Sequence, residues 1–413
     1  MNREMTKLAI HGGPKSVAAE EPALERWGEK EKEAVIAAVG QGSLFYWNGP
    51  QTNRLLARFR EHYPLTHLMP CSSGTAAIHI ALAAAGIGPG DEVILPPITD
   101  MGTAIGILYQ QGVPIFADVR ADTFNLDPDA VRAAISPKTK AIVAVHLAGN
   151  PCAMKELVEL AREHNLVLIE DCAQAWGAIC DRIPVGTIGD IGCFSLNDFK
   201  HISCGEGGVV GTSDDRYGPH LQTFGDKAYN RSSGIRQPEV LAPNYRISEL
   251  QSAFAAAQLE RVKGIAAGRA RAGDRLTSHL EGLPGISPPR RAVTDRCTYW
   301  FYLFRLRLEE LTCSREEFAA AMQAEGVPGR AGYIDEPLYK YPVFQNANFF
   351  AGRWPVRELG LTSHDYRSDH CEVAEAILQD AILIPISQAM TNAYIDALAE
   401  GLRKVACHYA RSV

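Results

Sequence analysis

The sequence predicts an α/β fold in which a mostly parallel sheet is covered by helices on both faces. Short apolar runs recur between residues 92 and 194, and segments with a helical pattern separate most of them. Strands that are joined through helices run parallel and are covered on both faces. Carboxylates and a lysine stand at or just beyond the ends of two of these runs. Ligands of open α/β sheets bind at that edge.

The strands are predicted from short, mostly apolar runs, which have the length of a buried strand. They cover residues 92–96, 113–118, 141–146, 166–171 and 191–194. A further strand is predicted over residues 299–308, where early aromatic residues are followed by alternation of apolar and polar side chains.

The helices are predicted from capping residues and from the residues that end helices. The first starts near Gly28 and stops at Gly40, and Ser72 or Ser73 caps the next, over residues 76–85. The remaining helices are predicted to begin after Asp127, at residue 154, after Ser248, after Ser314 and at Thr391. The helix after Ser248, which forms a capping box with Gln251, is expected to reach residue 269.

A cluster of glycine and proline residues, 282–289, interrupts the chain after these helices. Such clusters mark loops between structural units. We therefore expect a large domain over residues 1–265 and a smaller C-terminal α+β domain over residues 266–413.

Composition limits the partners and the compartment. The net charge of −7, from 41 basic and 48 acidic residues, argues against nucleic acid or an anionic membrane as the main partner. No apolar run reaches the roughly 20 residues of a membrane helix, and no apolar stretch follows the N-terminus as in a signal peptide. The ten cysteines are scattered without a CxxC pair, so we expect a reduced, cytoplasmic protein that holds no metal.

One lysine, Lys200, has a setting unlike that of a surface lysine. It follows the apolar run 191–194 and precedes the glycine-rich turn 205–208, where the backbone can approach a ligand. Asp171 ends another buried run, 166–171. A lysine that forms a Schiff base and a carboxylate that faces a pyridine nitrogen are the two groups that a pyridoxal 5′-phosphate enzyme needs.

Several segments resemble the DegT/DnrJ/EryC1/StrS family of sugar aminotransferases, and they follow the family's order along the chain. They are Ser73-Gly-Thr-Ala-Ala77, Glu170-Asp-Cys-Ala-Gln-Ala175, Phe194-Ser195, Lys200, Cys204-Gly-Glu-Gly-Gly208 and Asn244-Tyr-Arg-Ile-Ser-Glu-Leu-Gln251. The resemblance runs from about His11 to the C-terminal helix. It implies fold type I of the pyridoxal phosphate enzymes, with a mostly parallel seven-stranded sheet, and a homodimer with a shared active site.

The resemblance also implies a role for each site residue. Lys200 holds pyridoxal phosphate and moves the α-proton of the donor, while Asp171 keeps the pyridine nitrogen protonated. Gln174 is implied near the hydroxyl face of the ring. The phosphate suits the free N–H groups of a helix start. Its implied ligands are Gly74, Thr75, Ala76, Ser195 and, reaching across the dimer interface, Asn244.

One position departs from the family pattern. Where the family has an aromatic residue over the pyridine ring, this chain has Asp100, with Met101 beside it. An aspartate cannot stack on a ring as an aromatic side chain does. Either Met101 covers the ring, or Asp100 contacts a polar group of the substrate.

Further residues are candidates for substrate contacts. His146 ends the run 141–146 at the ligand edge, where a hydrogen-bonded structural histidine is the alternative. Tyr333 and Tyr339 lie in a polar and aromatic segment that can equally be ordinary surface. The aromatic loop 42–50 is interpreted as a dimer contact or as a wall of the substrate pocket.

The family implies transfer of an amino group from glutamate or glutamine to a keto group of a cyclitol or of a nucleotide-linked or free sugar. Amino-sugar or antibiotic biosynthesis is the setting that this implies. Two alternatives are a pyridoxal phosphate sugar dehydratase, in which histidine replaces the lysine, and a regulatory protein that retains the fold without turnover. Lys200 favours transamination.

Overall fold

The structure is a computed structural model, and it describes residues 7–411. Residues 1–6, which bear on the signal-peptide expectation, lie outside the described residues. The helices are α1 (Glu29–Val39), α2 (Pro50–Arg60), α3 (Gly74–Ala84), α4 (Met101–Tyr109), α5 (Pro128–Ala134), α6 (Met154–Glu163), α7 (Gly218–Gly225), α8 (Glu249–Leu259), α9 (Val262–Leu280), α10 (Arg315–Ala324), α11 (Pro342–Gln345), α12 (Pro355–Glu358), α13 (Glu372–Asp380) and α14 (Asn392–Tyr409).

The strands are short, as expected for buried strands. They are β1 (His67–Cys71), β2 (Glu92–Leu95), β3 (Val113–Phe116), β4 (Thr139–Val145), β5 (Val167–Asp171), β6 (Ile179–Cys180), β7 (Ile183–Pro184), β8 (Ile191–Ser195), β9 (Gly208–Thr212), β10 (Ile286–Ser287), β11 (Phe301–Leu306), β12 (Arg330–Ala331) and β13 (Ala381–Pro385).

A seven-stranded sheet has the strand order β1-β9-β8-β5-β4-β2-β3. The five strands from β3 to β8 in this order run parallel to their neighbours. β9 is antiparallel to both β8 and β1. The predicted α/β class with a mostly parallel sheet is therefore confirmed.

The register of this sheet brings the candidate site residues to one edge. Val145 at the end of β4 pairs with Asp171 at the end of β5. Asp171 in turn pairs with Cys193, two residues before Ser195 ends β8. The carboxyl ends of three parallel strands thus lie side by side, where ligands of such sheets bind.

The predicted helix caps are observed. Gly28 and Gly40 flank α1, and Ser73 Oγ accepts the N–H of Ala76 at the start of α3. The capping boxes at Ser248 and Ser314 are present. Apolar residues on all sides of α3 explain its position, because every residue of this helix except Thr75 is buried.

The predicted helix 249–269 is wrong in its extent. Two helices, α8 and α9, meet at Glu260 and Arg261, and α9 continues to Leu280. The Arg261 guanidinium at the break donates to the backbone oxygens of Glu25 and Arg26, 2.6 Å away in both cases. Glycines disfavour a helix interior, yet in α9 Gly273 lies so close to the Tyr299 ring that a Cβ would come within 2.3 Å of it.

The C-terminal part of the chain contains a second sheet, with the strand order β10-β11-β13-β12 and antiparallel pairing throughout. Helices α9, α10 and α14 share a buried apolar core with it. The division at residues 265 and 266 stays a prediction, and α9 runs across it. In residues 7–411, no helix is long and apolar enough to cross a membrane.

Candidate active site

The start of helix α3 lies directly against the end of strand β8. A Cβ on Gly74 would come within 2.6 Å of Ser195 Cβ, so only glycine fits here. The Ser73 side chain caps the helix by accepting the Ala76 N–H at 3.0 Å. The remaining N–H groups of the first turn and the Ser195 hydroxyl therefore border one space.

That space is a cavity of about 210 Å³ at the carboxyl edge of the large sheet. Seven of the residues predicted from the sequence line it, namely Gly74, Thr75, Asp100, Asp171, Gln174, Ser195 and Lys200. The other lining residues are not among the predicted site residues; they are Ser73, Ile78, Thr99, Gly102, Thr103, Ala173, Asn197 and Glu206.

Asp171 is buried at the floor of the cavity with both carboxylate oxygens engaged. Oδ1 accepts the Ala173 N–H at 3.0 Å, and Oδ2 accepts the Thr103 hydroxyl at 2.9 Å. Burial raises the pKa of Asp171, and the two hydrogen bonds and the charge of Lys200 oppose that rise. The carboxylate is thus fixed in orientation and ready to pair with a cation.

Lys200 is partly buried in the turn that follows β8. Its Nζ lies 3.9 Å from the centre of the Trp300 ring. Burial lowers the pKa of Lys200, while the nearby carboxylates of Asp171 and Asp100 raise it. A lysine with a lowered pKa supplies the neutral amine that attacks an aldehyde.

Gln174 is held in one orientation at the wall of the cavity. Its Oε1 accepts the Ala148 N–H at 2.8 Å, and its Nε2 donates to the Tyr333 hydroxyl at 3.2 Å. Tyr333 is not itself a lining residue, but this hydrogen bond places its hydroxyl beside the site. Burial raises the pKa of Tyr333.

Comparison with known proteins decides the family. A model described as the DegT/DnrJ/EryC1/StrS aminotransferase family matches residues 26–403. The chain belongs to this family. The chain is therefore an aminotransferase that depends on pyridoxal 5′-phosphate, and the resemblance seen in the sequence is confirmed.

Similar proteins support this membership along most of the chain. GDP-perosamine synthase of Caulobacter vibrioides is 34% identical over 348 residues, which cover 84% of this chain and 88% of that protein. L-glutamine:2-deoxy-scyllo-inosose aminotransferase of Streptomyces kanamyceticus is 38% identical over 307 residues, 71% of each chain. The crystal structure of 3-amino-5-hydroxybenzoic acid synthase superimposes with a TM-score of 0.82 at 25% identity, covering 95% of this chain and 100% of that one.

The residues of this aminotransferase fit pyridoxal phosphate by their chemistry. The cavity offers an amine at Lys200, a buried carboxylate at Asp171, and hydroxyl and backbone N–H donors beside the start of α3. Gly74 and Gly102 keep the walls clear, since a Cβ on Gly102 would come within 2.6 Å of Thr75 Oγ1. The amine suits the aldehyde of the cofactor, the carboxylate suits its pyridine nitrogen, and the hydroxyl and N–H donors suit its phosphate.

Asp100 lines the cavity, whereas Met101 does not. Asp100 is the N-cap of α4, and its Oδ1 accepts the Gly102 N–H at 2.8 Å. Met101 is half-buried against the apolar core. Of the two residues considered at this position, therefore, the carboxylate of Asp100 borders the cavity and the Met101 side chain packs against the core.

His146 and Tyr339 lie outside the cavity. The contacts of His146 match the structural alternative, whereas Tyr339 is fully buried and is not the surface residue that its alternative predicts. His146 is fully buried, with Nδ1 accepting the Cys152 N–H and Nε2 3.0 Å from Glu170 Oε2. The Tyr339 hydroxyl donates to Glu375 at 2.6 Å.

Glu170 and His146 form a buried polar network beneath the site. The Glu170 carboxylate accepts the N–H groups of Gly186, Ile188 and Gly189, each at 2.7 Å. Cys172 completes a group of three ligand-type side chains within 4.8 Å of one another. The hydrogen bonds occupy the lone pairs of His146 and Glu170, so the network ties the loop after β7 to the strand that carries Asp171.

Two predicted phosphate ligands lie elsewhere in the chain's own structure. Ala76 does not line the cavity, and its N–H donates to the Ser73 cap. Asn244 is exposed, and its Oδ1 accepts the Arg246 Nε–H at 2.8 Å.

Proposed function

We propose that this chain transfers the amino group of glutamate or glutamine to the keto group of a sugar or a cyclitol. The observation that carries the proposal is the shared cavity of Lys200 and Asp171 at the start of α3. The names of the two curated relatives support the choice of acceptor, since one acts on a scyllo-inosose and the other makes a GDP-linked amino sugar.

Lys200 has two tasks in this proposal. Its amine attaches the cofactor. Once released, the amine takes up the proton that leaves the donor's α-carbon, and in the second half-reaction it delivers a proton to the carbon of the acceptor's keto group. Bound pyridoxal phosphate supplies an electron-poor ring that takes up the electrons of the broken C–H bond. The pKa of Lys200, lowered by burial, keeps more of its amine neutral than an exposed lysine would at the same pH.

Asp171 supplies a fixed negative charge opposite the pyridine nitrogen. Thr103 and the Ala173 N–H hold its two oxygens, so the carboxylate does not have to reorient during turnover. Gly74, Thr75 and Ser195 hold the phosphate, with the dipole of α3 adding to the attraction. Gln174 orients the face of the ring that bears the hydroxyl group.

The dehydratase alternative requires a histidine in the position of the lysine. Here His201 is buried and its Nε2 donates to Thr298 O at 3.0 Å, whereas Lys200 lines the cavity. This difference supports transamination.

A homodimer that shares its active sites is part of the proposal. Asn244 is exposed, and in this proposal its side chain reaches the cofactor phosphate of the partner subunit. Some large apolar side chains are exposed, among them Ile36 at 72% and Leu241 at 97%. Such side chains fit a protein interface. The ten free cysteines support a reducing, cytoplasmic location.

The proposal is tested by mixing purified protein with pyridoxal phosphate and recording the visible spectrum. We expect a yellow protein whose band bleaches with glutamine or glutamate and returns with a keto-inositol or a keto-sugar nucleotide. Lys200→Ala loses the band, and Asp171→Asn keeps the cofactor but transaminates at least about a hundredfold more slowly. A wild type that stays colourless with added cofactor, or an Asp171→Asn variant with normal turnover, contradicts the proposal.

A further inference from the structure

The turn that carries Lys200 is held on both sides by one segment, residues 298–300, which directly precedes β11. The Trp300 Nε1–H donates to the backbone oxygen of Phe199 at 2.7 Å. The His201 Nε2–H donates to the backbone oxygen of Thr298 at 3.0 Å. The residues before and after Lys200 are therefore both tied to a part of the chain about one hundred residues away.

Trp300 also touches Lys200 itself. The Nζ atom lies 3.9 Å from the centre of the indole ring, well inside the roughly 6 Å range of a cation–π interaction. Of the aromatic side chains, tryptophan attracts an ammonium group most strongly. The charged form of the amine is thus favoured on this ring face.

The backbone of the segment 298–300 is itself held by several hydrogen bonds. The buried Arg269 donates through Nη1 to the oxygens of Tyr299, Trp300 and Ile386, at 3.1, 3.2 and 2.6 Å. The N–H groups of Thr298 and Trp300 donate to Gly149 O and Ala148 O, at 3.0 and 2.9 Å. Ala148 is the residue whose N–H orients Gln174.

We propose that Trp300 is a positioning residue for Lys200. The charged amine lies against the indole ring whenever it is not attached to the cofactor. The indole N–H holds the turn that carries the lysine. This inference rests on the proposed role of Lys200.

Other charged groups act on the same amine, and their effects have known signs. Asp171 from β5 and Asp100 at the start of α4 raise the pKa of Lys200, and Glu206 borders the same cavity. Burial lowers the pKa of His201 well below its usual range, so this neighbour stays neutral. Asp171, Asp100 and the indole ring favour the charged amine and raise the pKa of Lys200, whereas burial lowers it. Removal of the ring is therefore expected to lower this pKa.

The test is competitive labelling of Lys200 by acetic anhydride across pH, in the full-length protein freed of cofactor and read by peptide mass spectrometry. We expect Trp300→Leu to lower the pH of half-maximal labelling by about one pH unit. Trp300→Phe, which keeps a ring but loses the N–H, lowers it by less. Phe199→Leu is the matched control, because this neighbouring aromatic side chain is 75% exposed, and we expect no change.

An unchanged or raised labelling midpoint in Trp300→Leu overturns the inference. If that variant does not fold, the sign of the smaller shift in Trp300→Phe decides. A second readout is the half-reaction with the donor, in which the maximal rate falls in the variants while the donor KM stays within about twofold. If wild-type protein attaches pyridoxal phosphate at Lys200 but the labelling midpoint of Trp300→Leu equals that of the wild type, only this inference is contradicted. Wild-type protein that fails to attach the cofactor contradicts the proposed function.

Discussion

Thr103 Oγ1 donates a hydrogen bond of 2.9 Å to Asp171 Oδ2, across 68 residues of chain. Thr103 lies in the first turn of α4, and its hydroxyl also contacts Thr99 Oγ1 at 2.9 Å. The carboxylate at the floor of the cavity is thus oriented from a neighbouring helix as well as from its own turn.

Thr103→Val keeps the shape of this side chain and removes its hydroxyl. Since a hydrogen bond to the charged form lowers the pKa of a carboxyl group, its loss raises the pKa of Asp171. We expect kcat/KM to fall about tenfold, which corresponds to about 1.4 kcal/mol, and the acidic limb of its pH profile to move to higher pH.

Thr99→Val serves as the control for this prediction, because it removes a contact to Thr103 but none to Asp171. A pH profile of Thr103→Val that coincides with that of the wild type speaks against the orienting role.

Asp100 is expected to determine which acceptor is used. Its carboxylate lines the cavity, at the position where the resemblance implies an aromatic ring. Asp100→Asn retains the N-cap of α4 but loses the charge. We expect the KM of the acceptor to rise about tenfold or more while the half-reaction with the amino donor changes less than about twofold. Equal effects on both half-reactions, measured separately by stopped-flow spectroscopy, argue against a contact with the acceptor.

Glu170 is expected to stabilise the fold beneath the site. Glu170→Gln replaces a carboxylate that accepts three backbone N–H groups with an amide, whose NH₂ group would face at least one of them. Buried donors without acceptors cost about 1–3 kcal/mol. We expect a loss of about 3 kcal/mol, seen as a fall in Tm of several degrees. A Tm equal to that of the wild type would show that the loop 186–189 does not depend on this carboxylate.

Asn244 is predicted to act in the active site of the partner subunit. Asn244→Ala and Lys200→Ala proteins, each inactive alone, are unfolded together and refolded as a mixture. A mixed dimer then contains one site with both residues intact, and random pairing restores about a quarter of the wild-type activity. Native mass spectrometry verifies that mixed dimers have formed. If they have and no activity is recovered, Asn244 does not act across an interface.

Local signals in the sequence account for the parts that were predicted well. Ser73 and Ser248 cap helices that the structure shows, because a capping side chain bonds to backbone only three residues away. Asp171 and Lys200 are predictable because Asp171 ends one buried strand, Lys200 comes shortly after another, and both strands end at the ligand edge of the sheet.

Contacts between distant segments account for what was missed. Nothing near Thr103 in the sequence indicates its bond to Asp171, and nothing near Trp300 indicates that it covers Lys200. His146 ends a strand at the ligand edge, but its side chain turns to Glu170, a partner that only the folded sheet brings close. The sequence does not predict strand β9, because this strand begins within a glycine-rich turn.

Reduction of the yellow holoenzyme with borohydride, followed by peptide mass spectrometry, shows directly which residue carries the cofactor. We predict that the mass of reduced pyridoxal phosphate is found on Lys200, and that Lys200→Arg acquires none. Attachment at any other lysine, or none on wild-type protein saturated with cofactor, would contradict the central claim that Lys200 holds the cofactor opposite Asp171.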